Sequence, residues 1–396
     1  MNLCNLRNLW MSMKHAGIYL HIPFCRSHCS YCDFATGMYE GELAERYVIS
    51  QIKEITEWRE VDSPVAVDTI YFGGGTPSLL APSQIERILK AVRGRFQIVD
   101  DAEVTIELNP GDGGTSAAAR QETMSEFRRL GINRASFGAQ TFDNRELKQL
   151  GRTHSSADIP ATFQQLRAAG FDNISFDLIA GLPGQTLSGW QRNLDEALNL
   201  RPDHLSLYLL DVHEGTPLAD QIRSGMRPQP DDDLAGEMYQ LMLAEVGAAG
   251  YQHYEISNFC LPGFESRHNT KYWAGAAYYG FGCSAHSYDG WRRRWANERD
   301  IAKYVELIEQ EESPVVERTE LNEEDARSES IFLGLRLMSG LDLQSYRSRF
   351  GTDLREEYSS ELVRLYEAGL IEIDEDLMRL TKRGALLSNE VFAALA

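Results

Sequence analysis

Three cysteines lie within one short run of the chain, Cys25-Arg26-Ser27-His28-Cys29-Ser30-Tyr31-Cys32, spaced by four and then three positions. Thiolates are soft ligands, and three of them this close together suit an iron–sulfur cluster. Three protein ligands on a four-iron cluster leave one iron open to a small molecule. The spacing therefore predicts a cluster with one open iron.

A zinc site and chance burial are the two alternatives to a cluster for these three cysteines. A structural zinc site takes four ligands, usually as two Cys or His pairs that are well separated in sequence. Such pairs are missing here, although His21 or His28 is near enough in sequence to complete a site. Chance burial of three unrelated thiols is improbable at this close spacing. The pattern favours the iron–sulfur cluster over both alternatives.

The elements that must position the cysteines are strands alternating with helices from residue 17 to about residue 210. The predicted strands are 17–21, 67–72, 103–108, 134–138, 173–178 and 204–209. The predicted helices between them are 42–59, 83–93, 117–130, 157–169 and 188–200. This alternation predicts an α/β fold with a parallel sheet. Because six units are fewer than the eight of a complete barrel, we expect an open six-stranded barrel or a doubly wound sheet.

Polar or glycine-rich residues follow the end of each predicted strand. They are the cysteine loop, Gly73-Gly74-Gly75-Thr76-Pro77, Glu107-Leu108-Asn109-Pro110, Gly138-Ala139-Gln140-Thr141, Asp177 with Gly181-Leu182-Pro183-Gly184, and Tyr208-Leu209-Leu210-Asp211. The carboxyl ends of parallel strands meet at one edge of the sheet, where ligands bind in such folds. We therefore expect all six loops to contribute to one site.

The chain divides into four expected parts. Residues 1–16 are expected to be a disordered tail, 17–225 the barrel, 226–311 an extension across the barrel mouth and 312–396 a small C-terminal domain. The extension contains a possible further strand at 251–257 and a segment without clear periodicity at 258–295, which is expected to be loop-rich. The C-terminal part combines helices with two short β runs at 370–373 and 378–381, a pattern that resembles a winged helix and is mainly helical.

Composition excludes several classes of function. The formal net charge of −20 argues against nucleic-acid binding, which requires basic patches. The sequence has no apolar run of membrane-spanning length, so an integral membrane protein is not expected. Because the first residues do not make a signal peptide, the six cysteines are not interpreted as a disulfide framework, Cys4 is interpreted as an incidental thiol, and a cytoplasmic location is expected.

The spacing Cys-x3-Cys-x2-Cys resembles that of the radical S-adenosylmethionine (SAM) superfamily. The longer run Tyr19-Leu20-His21-Ile22-Pro23-Phe24-Cys25 is similar to the HemN/HemW family, the oxygen-independent coproporphyrinogen III oxidases and their haem-chaperone relatives. The resemblance extends from Tyr19 to the C-terminal domain. It implies a (βα)6 partial barrel, a [4Fe–4S] cluster on Cys25, Cys29 and Cys32, and SAM on the fourth iron.

The resemblance also implies roles for residues at the other strand ends. Residues that match SAM-contacting positions are Tyr19, Gly74, Gly75, Thr76 and Glu107, and those that match positions of a second SAM or its pocket are Gln140, Arg152 and Asp177. The chemistry of these residues agrees with such a ligand. A glycine turn lets backbone groups approach a methionyl head closely, and a carboxylate accepts hydrogen bonds from an ammonium or a ribose hydroxyl.

Two features favour the haem-chaperone branch of the family. The oxidase branch has a further cysteine where this chain has Phe34, within Cys32-Asp33-Phe34. The run Arg267-His268-Asn269-Thr270-Lys271-Tyr272-Trp273 matches a motif that marks haem binding in the chaperone branch. The resemblance therefore implies that His268 ligates haem iron. The alternative for His268 is a hydrogen-bonded histidine packed beside core aromatics, and His286 is a secondary ligand candidate. Cys260 and Cys283 are expected to be inert buried thiols.

The expected function is a haem chaperone that binds haem and passes it to acceptor proteins, with an electron donor such as flavodoxin or ferredoxin. One alternative is a radical SAM enzyme, either an oxidative decarboxylase of a porphyrinogen propionate or a methyltransferase. Another is a non-catalytic assembly module whose cluster is structural. The sequence leaves open whether the protein is an enzyme.

Overall fold

A large mixed sheet forms the centre of the protein, as seen in a computed structural model that describes residues 15–61, 65–112 and 116–395. The strands are β1 (Ala16–Ile22), β2 (Phe24–Cys25), β3 (Gly37–Met38), β4 (Ala66–Gly74), β5 (Gln97–Leu108), β6 (Arg134–Gln140), β7 (Ile174–Ala180), β8 (His204–Leu209), β9 (Gln252–Glu255), β10 (Asn258–Cys260), β11 (Tyr278–Phe281), β12 (His286–Tyr288), β13 (Arg293–Asn297), β14 (Val315–Glu320), β15 (Leu341–Asp342), β16 (Ile371–Ile373) and β17 (Leu377–Leu380).

Helices connect most of these strands. They are α1 (Gly41–Glu57), α2 (Pro82–Arg95), α3 (Ala117–Arg129), α4 (Asn144–Gln149), α5 (Asp158–Ala168), α6 (Leu187–Leu200), α7 (Pro217–Arg223), α8 (Asp232–Ala248), α9 (Arg267–Trp273), α10 (Ile301–Glu309), α11 (Glu323–Arg336), α12 (Leu343–Phe350), α13 (Leu354–Glu357), α14 (Ser359–Glu367), α15 (Lys382–Leu386) and α16 (Ser388–Leu395). A 3-10 turn, Pro77–Leu79, follows β4. Within the described ranges, none of the helices has both the length and the apolar character needed to cross a bilayer.

The six predicted strands pair in parallel, in the order β1, β4, β5, β6, β7 and β8. This confirms the predicted α/β partial barrel. Sequence reasoning missed β11, which pairs in parallel with β1 on its other side. Antiparallel strands then extend the sheet at both edges, β12 to β14 beyond β11 and β10 and β9 beyond β8.

The two faces of the parallel strands differ sharply in polarity. One face contributes apolar residues such as Ile18, Leu20 and Phe72 to the hydrophobic core. The alternate residues face the barrel interior and are mostly polar; they include Thr69, Tyr71, Glu103, Thr105, Glu107, Arg134, Ser136, Ser175, Asp177, His204 and Ser206. Successive side chains on a strand point to opposite faces. The alternating pattern therefore gives the barrel a polar interior, which leads to the carboxyl ends of the strands.

The segment 258–295 differs from the expected loop-rich layer across the barrel mouth. It contains β10 to β13 and the helix α9, and its strands belong to the main sheet. The Glu103 carboxylate accepts hydrogen bonds from the backbone N–H groups of Arg267 and His268, at the start of α9. Because Glu103 pairs with Thr69 near the beginning of β4, α9 lies at the amino end of the barrel, away from the predicted site.

The C-terminal region contains the helices α11 to α16 and a three-stranded antiparallel sheet in the order β15, β17, β16. The predicted boundary at residue 312 falls before β14, which pairs with β13 of the large sheet. β14 therefore belongs with the barrel, although the predicted boundary assigns it to the C-terminal domain. Of the predicted tail, residues 1–14 lie outside the described residues, and Ala16 is already the first residue of β1.

A buried ion pair fixes α9 to the barrel, and its removal should destabilise the fold. Lys271 Nζ lies 2.6 Å from Asp68 Oδ1, and both side chains are almost completely buried. We predict that Lys271→Met lowers the free energy of unfolding by about 3 kcal/mol, because it removes the positive charge that stabilises the buried Asp68 carboxylate. Urea denaturation measures this change.

The control for this prediction is Arg46→Ala, which removes an exposed ion pair between Arg46 and Glu309. Exposed pairs contribute about 0–1 kcal/mol, so this variant should remain close to the wild type. Equal effects of the two substitutions would contradict the assignment of a stabilising role to the buried pair.

Candidate functional site

The cysteine loop is held by backbone hydrogen bonds to neighbouring segments. Gly37 N–H donates to the Pro23 carbonyl at 2.8 Å, and Tyr39 N–H donates to the Cys25 carbonyl at 2.9 Å. Further along the loop, Ser30 N–H donates to the Leu150 carbonyl at 2.9 Å. The first two bonds therefore join the chain that enters the loop to the chain that leaves it, and the third attaches the middle of the loop to the segment after α4.

Cys25, Cys29 and Cys32 line one cavity of about 410 Å³ at this edge. In the described ranges, no three His, Cys, Asp or Glu side chains are placed to hold a single metal ion. A zinc site would need four ligands converging at about 2.0–2.3 Å from one point. The three thiols line the same cavity, which fits a cluster of several irons held by cysteines. Of the two histidines that could complete a zinc site, His21 contacts the Ala35 carbonyl and the Tyr19 hydroxyl, and His28 is exposed and does not line the cavity.

A chain of hydrogen bonds joins two of the thiols across the cavity. Thr76 Oγ1 donates to Cys25 Sγ, and Asn109 Nδ2 donates to Thr76 Oγ1 at 2.8 Å. Arg152 donates through Nη2 to Asn109 Oδ1 at 2.5 Å and through Nη1 to Cys29 Sγ at 3.4 Å. Both sulfurs are acceptors, and for Cys25 the hydrogen bond from Thr76 favours the thiolate, which is the form that ligates metals.

Burial acts against this preference in the metal-free protein. It raises the pKa of the Cys25 thiol to about 11, although the Thr76 hydrogen bond opposes the increase. Burial likewise raises the pKa of Cys32. These thiols are therefore protonated at neutral pH, and metal binding would release their protons.

The glycine turn after β4 forms one wall of the cavity. Gly74 has φ +109°, a conformation that L side chains rarely adopt. A Cβ on Gly75 would lie 2.7 Å from the Phe24 carbonyl oxygen and 2.9 Å from the Pro23 carbonyl carbon. Gly75 N–H donates to the Ile22 carbonyl at 2.8 Å. The turn thus needs glycine to pack directly against the chain that enters the cysteine loop.

Two carboxyl groups form the acidic part of the cavity. Burial raises the pKa of Glu107 to about 7, although hydrogen bonds from the Tyr71 hydroxyl, at 2.7 Å, and Gly74 N–H, at 3.1 Å, oppose the increase. Burial raises the pKa of Asp177 to about 6. A positively charged ligand group beside these carboxyls would stabilise their ionised forms. The cavity therefore suits a ligand with a cationic group near Glu107 and Asp177.

Gln140 reaches the cavity through an irregular strand end. Its φ of +65° is unusual for a residue with a side chain, and the register between β6 and β7 shifts between Gly138 and Gln140. Gln140 and Gly138 both line the cavity. A Cβ on Gly138 would lie 3.2 Å from Arg152 Nη2, so glycine leaves space for the guanidinium.

The structure brings seven of the eight predicted SAM-contacting residues to the same cavity. They are Gly74, Gly75, Thr76, Glu107, Gln140, Arg152 and Asp177. Tyr19 is not among the lining residues. Its ring stacks at 6.2 Å, between centroids, on that of Tyr71, whose hydroxyl holds Glu107. Arg152, which sequence alone would place on a solvated loop, is a central member of the site.

His268 lies outside the cavity, in the barrel interior. Its Nδ1 is 2.8 Å from Thr69 Oγ1 and its Nε2 is 2.9 Å from the Tyr272 hydroxyl. The side chain is 1% exposed, and burial lowers its pKa to about 3. Both ring nitrogens therefore have hydrogen-bond partners, and ligation of iron would require the His268 side chain to leave one of them.

The remaining candidates also lie away from the cavity. His286 is exposed on β12 and does not line it. Cys260 and Cys283 are fully buried, and burial raises the pKa of Cys283 to about 12. Both thiols have the buried environment that was expected, while the predicted secondary role of His286 stays a prediction.

Several residues of the site were missed as individual candidates. The cavity is also lined by Tyr31, Asn109, Asp112, Ser136, Gly138, Tyr208, Leu209 and His213. Asn109, Gly138, Tyr208 and Leu209 lie in strand-end runs that the sequence marked as polar or glycine-rich. Residues such as Ser136 gave no comparable signal, because a serine inside a strand is common.

Gly75→Ala should destabilise the site, because the added Cβ meets backbone atoms that cannot rotate away. We predict a loss of about 1–3 kcal/mol in the free energy of unfolding, measured by urea denaturation. Gly94→Ala is the matched control. Gly94 lies in α2 with open space around its Cβ position, so alanine there should stabilise by up to about 1 kcal/mol. Unchanged stability of Gly75→Ala would contradict the close packing of this turn.

Glu107 should make stability depend on pH. Its folded pKa of about 7 exceeds its ordinary value of 4.5, so the folded protein retains a proton that the unfolded chain releases between these values. The contribution of Glu107 to the free energy of unfolding therefore decreases as the pH rises from about 4.5 to about 7, by at most about 1.4 kcal/mol per pH unit. Glu107→Gln should reduce that decrease in urea denaturation at a series of pH values.

The exposed carboxyl of Glu57, at the end of α1, provides the control for the pH series. Glu57→Gln should retain the pH dependence of the wild type. If Glu107→Gln retained it as well, Glu107 would not be the titrating group.

Comparisons with known proteins agree with this geometry. The Radical SAM superfamily profile matches residues 19–197, and the HemN C-terminal domain profile matches residues 321–387. The solved structure of coproporphyrinogen III oxidase (HemN) from Escherichia coli aligns with a TM-score of 0.83, covering 100% of this chain and 93% of that chain. At 24% identity, this match shows a shared fold.

Curated relatives match almost the whole chain. Heme chaperone HemW of Bacillus subtilis (strain 168) is 35% identical over 383 residues, which cover 96% of this chain and 99% of that protein. Radical S-adenosyl methionine domain-containing protein 1, mitochondrial, of Bos taurus is 33% identical over 402 residues, covering 96% of this chain and 87% of that protein. The chain therefore belongs to the HemW family of the radical SAM superfamily, a membership that implies a [4Fe–4S] cluster and SAM.

Proposed function

We propose that the chain is a haem chaperone that binds haem and transfers it to acceptor proteins, and that it carries a [4Fe–4S] cluster and SAM. The observation that carries this proposal is 35% identity to a heme chaperone HemW over 96% of the chain. Phe34 supports it, because the oxidase branch of the family has a further cysteine at that position. Thiols that must stay reduced suit a reducing compartment such as the cytoplasm.

In this proposal, Cys25, Cys29 and Cys32 hold the cluster. Their thiols line the cavity, and hydrogen bonds from Thr76 and Arg152 reach the sulfurs of Cys25 and Cys29. When bound, the cluster and SAM would supply radical chemistry, in which SAM is cleaved reductively with electrons from a donor such as flavodoxin or ferredoxin. The part of the chain itself is to hold and orient these groups.

SAM would occupy the same cavity. The backbone of Gly74, Gly75 and Thr76 would hold its methionyl part, and Glu107 would accept a hydrogen bond from its ammonium or a ribose hydroxyl. The rest of the ligand would lie against Gln140, Arg152 and Asp177. Tyr19 would act indirectly, by packing on the tyrosine whose hydroxyl holds Glu107. A zwitterionic, positively charged ligand agrees with carboxyls whose pKa values burial has raised.

The alternative function is a radical SAM enzyme, such as an oxidative decarboxylase of a porphyrinogen or a methyltransferase. The observation in its favour is that Gln140, Arg152 and Asp177 line the same cavity as the cysteines. An anaerobic assay with reductant, SAM and coproporphyrinogen III separates the two functions. Vinyl products would support the enzyme, whereas haem binding without vinyl products agrees with the chaperone.

Cys29→Ala tests the proposed cluster. After anaerobic reconstitution, we expect the wild type to contain iron and sulfide and Cys29→Ala to lose most of both, because a cluster ligand is removed. Cys260→Ala, a change at a cysteine far from the cavity lining, should retain them. The same wild-type sample should bind haemin and transfer it to an apo-haem protein such as apomyoglobin. A colourless, zinc-loaded wild type would contradict the cluster, and absence of haemin binding would contradict the chaperone.

A further inference from the structure

Exposed apolar side chains surround the mouth of the cavity. Phe34 is 64% exposed, Tyr208 40% and Leu209 36%, and all three line the cavity. Large apolar side chains that gather beside a cavity at this level of exposure mark a site for an apolar ligand or partner. Phe34 comes from the cysteine loop, and Tyr208 and Leu209 from the end of β8. The patch thus borders the thiols on one side and solvent on the other.

His213 lies at the same mouth, in the loop after β8. All nine histidines of the chain belong to its described part, and His213 is the one that lines the cavity. Its side chain is 45% exposed. The Thr216 hydroxyl donates to the His213 carbonyl at 2.7 Å, and Leu218 N–H donates to the Ser30 carbonyl at 2.8 Å. These bonds fix the His213 loop and attach it to the cysteine loop.

Two carboxylates accompany the imidazole. His213 Nδ1 is 3.9 Å from Asp33 Oδ2, and Nε2 is 3.8 Å from Asp211 Oδ2. Both distances exceed the length of a hydrogen bond, so neither ring nitrogen is committed to a carboxylate. Unlike His268, whose ring nitrogens both have partners inside the barrel, His213 is open to solvent and to a ligand.

We propose that His213 is the axial iron ligand of a haem that covers the cavity mouth, with its macrocycle against Phe34, Tyr208 and Leu209. This inference rests on the proposed function, in which haem is the cargo. A neutral imidazole ligates haem iron, and aromatic and aliphatic side chains pack on a porphyrin face. Arg26 also lines the cavity; its guanidinium is exposed, lies 3.4 Å from Asp112 Oδ1, and has further N–H groups that could meet a propionate.

Haemin titration of the full chain with its reconstituted cluster tests this site. We expect His213→Ala to weaken haemin binding by about tenfold or more and to remove the histidine-type Soret and EPR signals. Because His213 is exposed, urea denaturation should give the wild-type stability. Arg46→Ala is the control, since Arg46 is also exposed and does not line the cavity. Its spectra and affinity should equal those of the wild type.

Rescue by a small ligand distinguishes coordination from a structural role. Imidazole added to haemin-loaded His213→Gly should restore the histidine-type spectrum, because it occupies the vacated position on the iron. Wild-type spectra and affinity in His213→Ala would overturn this inference while the proposed function stands. If the wild type bound no haemin, both would fail. Loss of the signals in a folded His268→Ala variant, with His213→Ala unchanged, would assign the ligand to His268 instead.

Discussion

The alternation of side chains along the six parallel strands is the constraint on which the site depends. One face of these strands, with residues such as Ile18 and Phe72, packs into the core beneath the helices. The opposite face must then point into the barrel, and this sequence places Glu103, Arg134 and other polar groups there. Hydrogen bonds from the Tyr71 hydroxyl and Gly74 N–H to Glu107 form a network at the carboxyl edge, whereas Arg134 Nε and Nη1 have no hydrogen-bond partner among the described residues.

That network explains why residues from distant parts of the sequence act together at the edge. Arg152 follows a short helix, yet its guanidinium reaches Asn109, the Gly138 carbonyl and Cys29 at once. A planar group with several N–H donors can connect three segments in a way that a lysine cannot. Glycine at position 138 leaves room for the Arg152 guanidinium. The lack of a side chain at this position of β6 therefore goes together with the long arginine side chain in the loop that follows α4.

The sequence predicted the elements whose signals are local. The six strands are short buried runs bounded by glycine or polar residues, and the cysteine loop and glycine turn are compact motifs. It could not predict β11, since its pairing with β1 joins segments from opposite parts of the chain and includes Gly280. It also misplaced the segment around His268, because the motif identifies residues without indicating which end of the barrel they occupy. Nor could it predict that Asn109 connects Thr76 to Arg152, because only tertiary packing brings these three side chains together.

The position of His268 changes how its motif should be understood. Its ring stacks on Tyr71 at 5.1 Å, between centroids, and the Tyr71 hydroxyl donates to Glu107. A change at His268 therefore reaches the carboxyl edge through one intervening side chain, without any contact with a ligand. Loss of haem binding in a His268 variant would consequently not identify the iron ligand by itself. Only a signal that reports the iron–nitrogen bond distinguishes a ligand from a residue that supports the site from below.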